Sequence, residues 1–144
     1  MKKFATLLAF AVLAVSAFAQ NPVGTWKGKI NMDTSSMPKA QNAQQQQMMD
    51  KMVAQLKTMV LTLKMNANKT FTINAPSMMG QPARTGEGVW SQKGAAITLT
   101  LQKDNGKKMD KPDAQAMVID AAGKKMVLTP KQGGGPKMTI TFTK

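Results

Sequence analysis

Runs of alternating apolar and polar side chains, each stopped by a turn signal, constrain this chain more than any other feature. In the first run Trp26, Gly28 and Ile30 share one face, and Thr25, Lys27 and Lys29 share the other. Leu61, Leu63 and Met65 alternate with Thr62 and Lys64, and Phe71 and Ile73 alternate with Thr72 and Asn74. Ile97, Leu99 and Leu101 alternate with Thr98 and Thr100, and Met126 and Leu128 with Lys125 and Thr129. Met138, Ile140 and Phe142 close the series against Thr139, Thr141 and Thr143. A period of two residues predicts a half-buried strand each time. Arg84 to Gln92 and Gln115 to Asp120 read as two further strands with less regular faces, which makes eight.

The connections carry turn chemistry. Asn66-Ala-Asn68-Lys69 offers Asn for a left-handed position, while Ser91-Gln-Lys-Gly94 and Asp120-Ala-Ala-Gly123 end on Gly. Asp104-Asn-Gly106 is expected to open a longer loop through Lys111-Pro112-Asp113, and Gly133-Gly-Gly-Pro136 separates the last two strands. Successive hairpins make sequence neighbours antiparallel neighbours. Eight such strands with one apolar face each can roll up and hide both sheet edges. The expected fold is mainly β: an eight-stranded antiparallel up-and-down β-barrel.

One segment departs from this period. Between the first strand and Val60, apolar residues fall at Met48, Met49, Met52, Val53, Leu56 and Met59, with Gln47, Asp50, Lys51, Ala54 and Thr58 opposite. That spacing predicts an amphipathic helix. Ser36 is a candidate cap and Pro38 is compatible with a first turn. The reading is a short helix or helix pair inserted over about residues 36–58, between strands one and two, lying over one end of the barrel.

The first 19 residues read as a secretory signal peptide. Lys2 and Lys3 precede an apolar run from Phe4 to Phe18, and Ala17-Phe18-Ala19 places small residues at the cleavage positions. The run is too short for a membrane span of roughly 20 residues, and no Cys follows it to carry a lipid. Cleavage after Ala19 leaves one domain, residues 20–144, in a periplasmic or secreted setting. The chain has no Cys, so strand closure and packing must supply its stability without disulfides. Net charge is +13, or +11 without Lys2 and Lys3. The lysines are scattered through turns and strand faces, and read first as a solvated basic surface. Such a surface also attracts anionic partners of a cell envelope. The few aromatics do not interleave with the lysines as a nucleic-acid-binding face requires.

Gly24-Thr-Trp26-Lys27, a Gly-x-Trp at the head of the first strand of a meander, resembles the start of the lipocalins and their calycin relatives. Leu61–Thr72 and Gly88–Leu99 look like stretches of the small lipocalin-like domains of exported bacterial proteins. The helical insert is similar, more distantly, to that of the fatty-acid-binding proteins. The resemblance spans residues 22–144 and implies the barrel fold and a small hydrophobic or amphipathic ligand. It also implies a structural role for Gly24 and Trp26 as the plug of one barrel end. Three family features are missing. The only Arg is Arg84, far from the last strand where a lipocalin places one beside the Trp. No Tyr exists for a Thr-Asp-Tyr motif or an Arg-x-Tyr carboxylate clamp, and no helix follows the last strand.

With no His and no Cys, the chain lacks an imidazole base, a thiolate nucleophile and an ordinary zinc site. Neither an enzyme nor a cofactor is expected. Glu87 is the one carboxylate in mid-strand, and the pleat turns it outward if Trp90 points in. The chain has 14 Met, and those on the helix admit three readings. They are core packing, a deformable lid over a ligand, or thioether ligands for Cu(I), for which Met48, Met49 and Met52 have the spacing. If the barrel holds a ligand, Met49, Met52, Leu56, Leu63, Phe71, Ile73, Trp90 and Leu99 are the residues expected to line its site. Arg84 and Lys64 could meet a ligand's carboxylate only if they turned inward. The competing function is a barrel filled by its own side chains, serving as a structural or protein-binding module.

Overall fold

In the computed structural model, which describes residues 20–78, 80–131 and 136–144, eight antiparallel strands close into a barrel. The predicted leader (residues 1–19), Met79 and most of the Gly133–Pro136 turn lie outside the described residues. The strands are β1 (Gly24–Met32), β2 (Val60–Met65), β3 (Thr70–Ala75), β4 (Arg84–Lys93), β5 (Ala96–Asp104), β6 (Lys107–Ile119), β7 (Lys125–Leu128) and β8 (Met138–Thr143). Each pairs with its sequence neighbour, and β1 pairs with β8 from Lys27↔Thr143 to Met32↔Met138. Every strand thus has a partner on both sides, although the short β7 covers only Met117–Ile119 of β6.

The alternation places its apolar set inside. Trp26, Leu63, Met65, Phe71, Trp90, Ile97, Leu99, Met117, Ile119, Met126 and Phe142 are each at most 4% exposed. Gly28 and Gly86 lie on the same inward face and make room for this filling. A Cβ on Gly28 would stand 2.5 Å from the Phe142 ring, and one on Gly86 would stand 2.7 Å from Leu101 Cδ1. The space that Gly28 frees is therefore used by the Phe142 ring. These side chains form one continuous core inside the barrel.

The sequence misplaces two connections. No loop runs from Asp104 to Asp113: Asn105 (φ 50°) and Gly106 (φ 76°) make a tight turn, and β6 begins at Lys107. Asn-Gly is the pair that adopts two successive left-handed residues most readily. Pro112 is accommodated because the β5–β6 register breaks there, passing from Leu101↔Asp113 to Lys103↔Lys108, and proline's missing N–H costs no ladder bond at an irregularity. In the β2–β3 turn the left-handed residue is Lys69 (φ 68°), not an Asn. The Asn68 carboxamide instead accepts from the Thr70 amide and hydroxyl at 3.2 and 2.6 Å.

The insert is shorter than expected. Helix α1 spans Ala43–Thr58 and is capped by Asn42, whose side chain accepts from the Gln45 amide at 2.8 Å. Ser36 is not its cap. It ends a separate 3-10 turn, Thr34–Ser36, organised by the Asp33 side chain, and its hydroxyl accepts from the Lys137 amide at 3.2 Å. The Asp33 carboxylate accepts from the Ser35 hydroxyl and amide, and those bonds hold it below its ordinary pKa. The apolar face of α1 is also narrower: Met49, Met52, Val53 and Leu56 are half-buried, but Met48 is 62% exposed.

Candidate functional site

The two ends of the barrel differ. At one end lie the β2–β3, β4–β5 and β6–β7 turns, and here two indoles stop the lumen. Trp26 Nε1 donates to the Pro22 carbonyl at 2.8 Å, and Trp90 Nε1 donates to the Asn66 carbonyl at 3.1 Å. Each ring carries an ammonium: Lys144 Nζ is 4.7 Å from the Trp26 centroid, and Lys69 Nζ is 3.9 Å from that of Trp90. A cation over an indole face is attracted by the ring's quadrupole. Residues 20–23 add to the seal, since Gln92 Nε2 donates to the Gln20 carbonyl and Lys144 Nζ to the Asn21 carbonyl.

No Arg stands beside Trp26, but the position is filled by Lys144, which sequence reasoning missed. The signal was available in the pleat. Ile140 and Phe142 face inward, so residue 144 two places on is carried over the barrel end.

The helix end is less tightly packed. Leu56 of α1 and Met59, which follows the helix, pack onto the core together with half-buried Ile73, Ala75, Leu101 and Met138. Gln115 is on the inward face of β6 by its register with Leu99. Its Nε2 donates to Asp113 at 2.6 Å, while its Oε1 is buried without a protein donor. Half-buried methionines collect at this end, Met32, Met37, Met49, Met52, Met59, Met78, Met109 and Met138, whereas Met65, Met117 and Met126 are locked in the core.

Beside α1 lies a groove of about 560 Å³, formed where the helix runs past the Thr34–Lys39 segment. Met37, Pro38, Met49, Val53 and Ala54 supply its apolar lining, and Lys39 and Lys57 stand at its rim. Asp50 shares the rim, with its carboxylate accepting from Gln46 Nε2 at 2.8 Å. A second recess of about 470 Å³ lies between the helix C-terminus and the β3–β4 connection, lined by Gln55, Thr58, Met59, Val60, Pro76, Ser77 and Met78.

The residues expected to line a ligand site are thus divided. Leu63, Phe71, Trp90 and Leu99 are core, each at most 4% exposed. Leu56 and Ile73 are half-buried and pack against that core at the helix end. Met49 faces the groove, and Met52 is half-buried on the same helix. Of the outward candidates, Arg84 is bound to Asp104 in an exposed ion pair, and Lys64 is exposed on the barrel wall. Glu87 faces out and meets Lys103 at 3.5 Å. Thr34, Met37, Pro38, Lys39 and Lys57 were not expected to line a site, because only the fold brings the segment after β1 alongside the helix. No protein-family model, curated protein or solved structure matches the chain.

Proposed function

We propose that this chain is an exported, lipocalin-like binding protein whose ligand is a small amphipathic molecule with an apolar body and an acidic head. Its site is the groove beside α1, and the barrel is the scaffold that holds it. The groove carries this reading: its volume falls within the roughly 300–1,000 Å³ of small-ligand sites, and its apolar lining ends at two lysines against one carboxylate, Asp50, which is already bonded to Gln46. Burial of the ligand's apolar surface supplies the affinity at about 25 cal/mol per Å², less the cost of association. Lys39 and Lys57 select an anionic head. The half-buried methionines suit a lining that adapts to different chains. The tightly filled interior supports a site outside the lumen.

Dodecanoate, titrated into isotopically labelled protein, tests the reading by NMR. The expected shifts fall on amides of residues 34–39 and of α1, and Lys39→Glu/Lys57→Glu weakens binding at least tenfold. Shifts centred on Leu63, Phe71 and Leu99 would place the ligand in the lumen and overturn it, as would the absence of any shift.

A further inference from the structure

The barrel's outer wall is not evenly charged. The outward positions of β7, β8, β1, β2 and β3 are Lys125, Val127, Thr139, Thr141, Thr143, Thr25, Lys27, Lys29, Asn31, Val60, Thr62, Lys64, Thr70, Thr72 and Asn74, without one carboxylate among them. The acidic groups lie at or beyond its margins. Asp120 is in the turn before β7, where its Oδ1 accepts from the Lys124 and Lys125 amides, and those bonds hold its pKa below the ordinary value. Asp33 is past the end of β1, and Glu87 on β4 is held by Lys103. The two ion pairs among the described residues, Arg84–Asp104 and Lys103–Glu87, are both off this wall.

The register arranges the wall into rows. Lys125 pairs with Thr143, Thr143 with Lys27, Lys27 with Thr62 and Thr62 with Asn74. Cations and neutral hydrogen-bonding groups thus follow one another across five strands, at roughly 4.8 Å per strand. Lys29 and Lys64 flank this row on either side. All four lysines are exposed, and Lys27 Nζ donates to Thr62 Oγ1 at 3.1 Å in place of a carboxylate. Asn31 Nδ2 makes a similar cross-strand bond to Thr141 Oγ1 at 3.2 Å.

We propose that this wall is a docking surface for a linear acidic polysaccharide. Ammonium groups at this spacing meet carboxylates repeated along the chain, and the intervening Thr and Asn groups hydrogen-bond to sugar hydroxyls. A row fits a chain, whereas the convex wall touches a flat bilayer along only a narrow line. The apolar side chains on the wall are Val60 and Val127, without the Trp, Phe or Leu that anchor a surface in lipid or the aromatics on which bases stack. Opposite charge raises the encounter rate and makes binding sensitive to salt.

The test measures binding of the full-length folded protein to polygalacturonate by calorimetry at low and moderate salt, with dextran as the uncharged comparison. Lys27→Gln/Lys29→Gln/Lys64→Gln/Lys125→Gln is expected to weaken binding at least tenfold. Lys51→Gln/Lys93→Gln/Lys107→Gln/Lys108→Gln removes the same charge elsewhere and is expected to change it less than twofold. Equal losses in the two variants would make the attraction a matter of net charge and overturn the assignment. So would binding to phosphatidylglycerol vesicles but not to polygalacturonate, or no binding to either. Single changes Lys29→Gln and Lys64→Gln, each expected to weaken binding two- to threefold, answer the same question if the quadruple variant fails to fold.

Discussion

A glycine decides how the interior is filled at Gly28. Its missing side chain is the space into which the Phe142 ring fits, and Phe142 is fully buried. Adding one methyl there forces the ring from its position, and overpacking of this kind costs about 1–3 kcal/mol. Gly28→Ala is therefore expected to lower the unfolding free energy by that amount, read as a lower urea midpoint, and Gly28→Ala/Phe142→Leu to recover part of it. If the single variant unfolds like the parent, the tight fit at this position is refuted. The alternation identifies Gly28 as inward from the sequence alone. It does not identify Phe142 as its neighbour, because that contact arises from β1–β8 pairing between residues 114 positions apart.

At the level of elements, strands were more legible than their punctuation. Alternation is a strong local signal, so all eight strands and the helix could be placed without long-range information. Boundaries failed where two local signals competed. Pro112 argued for a loop, yet the Asn105-Gly106 turn and the break in β5–β6 register let the strand run through it. Ser36 argued for a helix start, yet Asp33 drew Thr34–Ser36 into a separate turn and left Asn42 to cap α1. Loss of an N-cap side chain typically costs about 1 kcal/mol. Asn42→Ala is expected to fray the first turn of α1, read as faster amide exchange at Gln45 and Gln46, and to leave exchange in the barrel strands unchanged. Slow exchange at Gln45 in the variant would show that packing, not the cap, holds the helix start. The groove depends on the same placement, because α1 forms one of its sides. No periodicity in the sequence could reveal a groove shared by two separate segments.

For the whole molecule, the barrel's two ends divide the work: one is sealed by indoles, lysines and the segment before β1, and the other carries the helix, the groove and most of the half-buried methionines. The sealed end has a topological consequence. Lys144, after the last strand, lies within 3.4 Å of a Cβ placed on Gly24 and bonds to the Asn21 carbonyl, so the chain returns to where its first strand begins. Each strand already pairs with the next around a full circle, which makes the strand order cyclic and the starting strand arbitrary. A circular permutant that joins Lys144 to Asn21 through a short Gly-Ser linker, with new ends between Asn105 and Gly106, is expected to refold with the parent's near-ultraviolet circular dichroism and one cooperative transition. Loss of that cooperativity would mean that folding needs β1 to lead. Success would give new termini at the barrel end that carries the helix, rather than behind the plug.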